Sequence, residues 1–329
     1  MRYSIIIPVF NRPDEVDELL LSLTTQRFKD FEVIVVEDGS SVPCAAVVQK
    51  YQDQLELAYY VKPNSGPGQS RNYGAERSRG EYLLILDSDC VLPEGYLTAV
   101  EEELRREPAD AFGGPDRAHD SFTPVQKAIN YAMTSFFTTG GIRGGKRKMD
   151  KFYPRSFNMG IRAEVYRALG GFSKMRFGED IDFRIRIFKG GYRCRLFPEA
   201  WVWHKRRTDL KKFFKQVHNS GIARINLYKK YPESLKLVHC LPAVFTLGVA
   251  GVLLASLWCG WSLLLLALFA AVIFIDASLQ TKNPKIGILS VCAAVIQLTG
   301  YGTGFLWAGW QRCVRGKDSF SAFEKNFYK

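Results

Sequence analysis

The chain has 329 residues, enough for one large domain or for a domain with an appendage. Its formal charge of +12 is unevenly placed: His204 to Lys236 holds ten Lys or Arg against Asp209 and Glu233, and the stretch from there to about residue 310 is almost free of charge. A basic block beside an apolar one argues for a membrane protein with a cytoplasmic flank over a nucleic-acid binder, and seven scattered cysteines without a Cys-x-x-Cys pair argue against a structural zinc site or a disulfide framework.

The N-terminal "YSIIIPV" is a short β-branched run of the kind buried on both faces of a sheet, and it reads as a first strand, not a signal peptide. "PDEVDELLLSLTTQ" follows at helical spacing, with Pro13 and acids in its first turn. Next come "FEVIVVEDGS" (strand and turn), "VPCAAVVQKYQD" (helix), "LELAYYV" (strand), "PGQSRNYGAERSR" (helix) and "EYLLILDSD" (strand). This alternation predicts a parallel α/β sheet with helices on both faces, whose ligands bind at the carboxyl ends of the strands. Three of those ends carry polar groups: Pro8 to Arg12, Glu37 to Ser40, and Asp87-Ser88-Asp89.

Residues 116–160 read as a glycine-rich, basic loop. "SFNMGIRAEVYRALGGF" then gives a strand, a helix and a Gly-Gly stop; "EDIDFRIRIFKGG" is a helix opening on acids and closing on glycine, and "YRCRLF" is a strand. From Leu210 to Tyr231 the apolar positions fall largely on one helical face and the lysines mostly off it, which predicts a basic amphipathic helix able to lie in a membrane interface. Three apolar segments follow, at about 238–258, 261–280 and 286–310, each near the ~20 residues that span a bilayer. Lys282 and Lys285 place the second link, with the N-terminal α/β domain, on the cytoplasmic side. Three full spans would put the basic tail outside, so either the charge rule is broken here or one segment is re-entrant, and "TGYGTG" makes the third segment the suspect.

An Asp-x-Asp at a strand end suits a site where one acid binds a divalent cation and the other a hydroxyl, with oxygen ligands favouring Mg²⁺ or Mn²⁺. Taken alone it equally suits a solvated turn. The ensemble "SIIIPVFNR", "VIVVEDGS", "GPGQSRNYGAERSRGEYLLILDSDC", "NMGIRAEVYRALGGF" and "GEDID" resembles the family 2 glycosyltransferases, over about residues 1–205. With its apolar C-terminus the chain looks most like the membrane-bound succinoglycan-biosynthesis type. The resemblance implies a GT-A fold with a mostly parallel sheet, an interfacial stretch at 206–236, two to three transmembrane segments over 237–310 and a basic tail at 311–329.

The resemblance also implies roles. Pro8, Asn11 and Arg12 would border the nucleotide, Asp38 would accept from the base ring, Arg71 would lie near the phosphates, and Asp87 would contact the ribose. Asp89 would hold the metal, with His204 as a second ligand or a phosphate contact. Asp180 would be the catalytic base, with Glu179 beside it at the acceptor. Arg143, Arg206, Arg207 and Arg224 are candidates for the diphosphate or the acceptor. The implied reaction is inverting, metal-dependent transfer from a nucleotide sugar, UDP favoured, to a lipid-linked polyprenyl glycan at the inner membrane. The alternatives are a polyprenyl-phosphate glycosyltransferase, like dolichol-phosphate-mannose synthase, and a non-catalytic nucleotide-sugar-binding scaffold. "GPGQSR" follows the third strand and is not Gly-x-Gly-x-x-Gly, which sets aside a dinucleotide-dependent oxidoreductase. The Gln-x-x-Arg-Trp signature of processive synthases is absent.

Overall fold

Four apolar runs form strands β1 (Tyr3–Val9), β2 (Phe31–Asp38), β3 (Leu57–Lys62) and β4 (Tyr82–Leu86) in a computed structural model that describes residues 1–117, 122–139, 154–175, 177–205 and 208–317. β2-β1-β4 pair in parallel, with β3 parallel at the edge of β2, so their carboxyl ends share one side of the sheet. Helices α1 (Pro13–Thr24), α2 (Ala45–Gln49) and α3 (Pro67–Ala75) connect them, α2 being much shorter than its apolar run predicts. After β4 come β5 (Cys90–Val91), α4 (Tyr96–Arg106), β6 (Ala111–Gly113) and β7 (Asp116–Arg117).

The seven-stranded sheet runs β3-β2-β1-β4-β8-β6-β9. Its later members are β8 (Asn158–Arg162), antiparallel to both β4 and β6, and β9 (Cys194–Leu196), parallel to β6. α7 (Ala163–Ala168) and α8 (Glu179–Lys189) lie between β8 and β9. A small second sheet, β5-β10-β7, adds β10 (Val202–His204).

Period-two alternation explains the two cores. Ile5, Ile7, Val33, Val35, Leu84 and Leu86 pack on one face with α1 and α4, while Ile6, Leu83, Ile85, Met159 and Ile161 pack on the other with Phe183 and Ile187 of α8. Each such side chain, fully buried, contributes about 1.5–3 kcal/mol. β1, β2 and β4 therefore read as mostly apolar runs buried on both faces, whereas the edge strand β3 is only half buried.

The chain divides into two units, Met1–His119 with Met149–Lys205, and Asp120–Lys148 with Arg206–Lys329. The stretch 1–205, expected as one domain, thus gives part of its middle to the second unit. That part is helical where a loop was expected: α5 (Pro124–Thr134) opens on a capping box, Thr123 Oγ1 accepting from Gln126 N while Gln126 Oε1 accepts from Thr123 N, with Pro124 in the first turn. α6 (Phe136–Thr139) follows it.

The second unit continues with α9 (Leu210–Lys230), α10 (Leu241–Ala255), α11 (Leu264–Thr281) and α12 (Pro284–Gly309). α5 buries Ala128, Ile129 and Ala132 in a cluster with Phe213 and Val217 of α9 and Ile286 and Ala293 of α12. Ile222 and Ile225 of α9 pack with Ala308. Much of the apolar face of α9, expected to suit a membrane interface, thus packs on α12, while Phe214 stays exposed.

α12 is one continuous helix, so the third segment is not broken at its glycines as expected. Those glycines admit close neighbours instead: a Cβ at Gly304 would collide with the His218 carbonyl, and one at Gly221 with the Tyr301 carbonyl. Residues 260–281 and 284–314 form two helices long and apolar enough to cross a membrane, while α10 is shorter, at 15 residues.

Candidate active site

The parallel strands deliver Asp38, Asp87 and Asp89 to one edge of the sheet. Ahead of them, the turn after β1 is fixed by Asn11, which sits in left-handed backbone at φ 53°. Its side-chain carbonyl accepts from Val42 N at 2.9 Å and Ser41 Oγ at 3.1 Å, and its own N–H donates to Ser40 Oγ at 2.8 Å. Asn11 therefore shapes the loop, and Pro8 lies half-buried within β1.

Arg12 reaches the acids directly. Its Nη1 lies 2.6 Å from Asp89 Oδ2, and His204 Nε2 lies 3.2 Å from Asp89 Oδ1. Burial works against the Arg12 charge, yet Asp89, through charge and hydrogen bond, holds its pKa above the ordinary arginine value. β10 places His204 opposite Cys90 of β5, and the imidazole stacks on Phe157 with ring centroids 4.4 Å apart. His204 Nδ1 is buried and has no hydrogen-bond partner among the described residues.

Asp89, Cys90 and His204 each present a ligand atom within 4.8 Å of the others. The Cys90 thiol donates to the Phe157 carbonyl at 3.4 Å, and burial, then the charges of Asp89 and Asp87, push its pKa well up, so it stays protonated. What remains is a carboxylate and an imidazole, a donor set that suits Mn²⁺ or Mg²⁺ better than a thiophilic ion.

The second cluster centres on Arg71. Its Nη2 lies 2.7 Å from Asp87 Oδ1 and its Nη1 3.1 Å from Glu179 Oε1, with the guanidinium buried above the Phe172 ring. The arginine thereby ties the end of β4 to the start of α8. Gly178, at φ 86°, makes the left-handed turn that aims that first turn, a conformation a side chain there would strain.

Of the three acids in that turn, Asp182 is fully buried with Arg186 at 2.9 Å, and Arg186 also donates to the Leu169 and Gly171 carbonyls. Glu179 is buried, and desolvation and then the neighbouring Asp180, against the pull of Arg71, raise its pKa to about 7. Asp180 stays open, its side chain 30% exposed, with Arg184 Nη2 at 3.7 Å.

Asp38 stands in a third cluster. Its carboxylate accepts from Lys62 Nζ, from Ser65 N at 2.9 Å and from Gly66 N at 2.8 Å, and it is buried. Lys62 also donates to the Pro63 carbonyl and Ser65 Oγ. Sequence reasoning missed Lys62, although it ends β3 beside Asp38, its partner in the strand register. It also missed Phe157. Arg224 belongs to α9 in the second unit, whereas Arg143, Arg206 and Arg207 lie outside the described residues.

The profile of Glycosyl transferase family 2 matches residues 4–170. A GalNAc(5)-diNAcBac-PP-undecaprenol beta-1,3-glucosyltransferase of Campylobacter jejuni is 34% identical over 115 residues, covering 34% of this chain and 37% of that one. The poly(ribitol-phosphate) beta-N-acetylglucosaminyltransferase TarS of Staphylococcus aureus is 40% identical over 93 residues, 27% of this chain and 16% of that one. The chain thus spans well under half the length of these two relatives. A mannosyltransferase from Pyrobaculum calidifontis, solved with GDP-Man and Mn²⁺, superposes with a TM-score of 0.67 at 17% identity over 94% of this chain and 88% of that one, which shows the shared GT-A fold. With the profile covering half of its length, the chain belongs to the family 2 glycosyltransferases.

Proposed function

We propose that the protein transfers a sugar, with inversion, from a nucleotide-diphosphate sugar to a lipid-linked glycan at a membrane. The observation that carries this reading is the division of labour among the acids. Asp87 and Asp89 are fixed at a strand edge by close ion pairs, with Arg71 at 2.7 Å and Arg12 at 2.6 Å, while Asp180, in the same helix turn as the buried Glu179 and Asp182, keeps a partly exposed carboxylate with Arg184 only at 3.7 Å. Asp180 takes the proton of the acceptor hydroxyl as that oxygen attacks the anomeric carbon. The bond from that carbon to the diphosphate oxygen breaks on the opposite side, and the electron pair leaves with the nucleoside diphosphate. Arg12 is placed to meet the charge that develops there.

Asp89 and His204 would hold a divalent cation, Mg²⁺ or Mn²⁺, which when bound supplies further neutralisation of the diphosphate. Arg71 is enclosed by Asp87 and Glu179, so its role is to hold those acids in place and not to grip phosphate. The Asp38–Lys62 pair marks the base end, with UDP favoured by the family resemblance. Residues 260–281 and 284–314 support membrane attachment, and the Campylobacter relative's name supports a polyprenyl diphosphate acceptor. Nucleotide release by the full chain in detergent, screened over UDP- and GDP-sugars with Mn²⁺ or Mg²⁺, tests the donor. Polyprenyl phosphate and a polyprenyl diphosphate sugar as paired acceptors test the rest. Release that neither acceptor stimulates would overturn the lipid-linked reading.

A further inference from the structure

The site proposed for a divalent cation already holds a fixed positive charge. The Arg12 guanidinium touches one oxygen of Asp89 while the other faces His204. A cation bound between Asp89 and His204 would lie within a few ångströms of that guanidinium, in a place only partly open to solvent, where like charges repel strongly. Arg12 does not reach Asp89 by chance of a mobile side chain. Asn11, strained and pinned by three hydrogen bonds, sets the direction of the chain, and the Arg12 carbonyl accepts from Val16 N at 3.1 Å to start α1.

The basic groups near this edge differ in what they could release. Arg71 is 4% exposed and shared by two carboxylates, Lys62 spends its donors on Asp38, Pro63 and Ser65, and Lys205 Nζ pairs with Glu18 at 2.6 Å. Arg12 is 29% exposed and bridges to Asp89 through one nitrogen. A guanidinium of this kind can exchange one carboxylate oxygen for two phosphate oxygens.

We infer that Arg12 keeps the Asp89–His204 site weak for divalent cations until a nucleotide diphosphate draws its guanidinium away from Asp89. This rests on the cation reading given under the proposed function. Cation and nucleotide then strengthen each other's binding by the same factor. An enzyme so built does not load a cation that has no diphosphate to neutralise.

The test needs only Mn²⁺ and the nucleotide-free full chain, titrated in detergent and read by the electron paramagnetic resonance of free Mn²⁺. Arg12→Gln should bind Mn²⁺ about tenfold or more tighter than wild type, because a like charge is gone. Arg12→Lys, which keeps the charge, should stay within a few-fold of wild type and shows that a change at this position is tolerated. Adding Asp89→Asn to Arg12→Gln should abolish the gain. Arg12→Gln binding no tighter than wild type overturns this inference and leaves the cation site standing. Tight binding that survives Asp89→Asn overturns the cation site itself, since the ion would then sit elsewhere.

Discussion

The carboxylates of Asp87 and Glu179 share the single guanidinium of Arg71, and Asp180, next to Glu179, has Arg184 at the longer distance of 3.7 Å. Burial and this crowding make Glu179 the member that keeps its proton, with a pKa of about 7. Its folded pKa lies above the ordinary glutamate value of 4.5, so its contribution to stability is full below pH 4.5 and is lost as pH rises through about 7. The same ionisation places a negative charge beside the proposed base, on the side where the acceptor hydroxyl gives up its proton. Transfer should therefore rise with pH through a limb near 7, and Glu179→Gln should remove the limb; a pH–kcat profile of both proteins checks this. Asp180→Asn should lower kcat by about 10²–10⁴-fold while the dissociation constant for the donor holds. A fall in donor affinity at unchanged kcat would place the base elsewhere.

At the scale of elements, α9 and α12 meet through glycines, and that contact has no room for a methyl group. Gly304→Ala and Gly221→Ala should each destabilise the second unit by about 1–3 kcal/mol, visible as a lower Tm in detergent. Beside this contact, Tyr131 of α5 donates to Asp276 Oδ2 of α11 at 2.5 Å, and Gln280 donates to the same oxygen at 2.9 Å. An acid within an apolar helix is costly without such partners. Tyr131→Phe should cost about 1–3 kcal/mol by thermal unfolding, with Asp276→Asn partly restoring the loss, since an amide needs less from its neighbours than a carboxylate.

The strands β1, β2 and β4 were legible because burial on both faces makes them mostly apolar, with Ser4 and Glu32 as paired exceptions, and their polar ends announced the site. Glycine misled in "TGYGTG": local propensity says break, whereas packing against α9 says approach. α5 was hidden between turn residues and a basic glycine-rich run, although Thr123, Pro124 and Gln126 spell its start. Arg12 next to Asp89 was not legible at all, since the two lie 77 residues apart and meet only through the strained turn at Asn11.

For the molecule as a whole, α5 means that the chain passes from the first unit to the second, back again, and over once more. A chain ending at residue 205 would keep α5 and lose α9 and α12, which cover Ala128, Ile129 and Ala132. It should aggregate or cling to detergent, and size-exclusion chromatography with and without detergent would show this; a monodisperse soluble product would contradict it. Where the sheet ends, β7 and β10 run side by side and in parallel, and each is followed in sequence by a segment of the second unit. The consequence concerns exchange between relatives. A gene fusion with a single junction, joining one enzyme's sheet-bearing part to another's C-terminal helices, would pair an α5 from one parent with an α9 and α12 from the other. Shuffling this architecture calls for at least three crossovers, so residues 120–148 should be inherited together with the C-terminal helices and not with the sheet that encloses them in sequence.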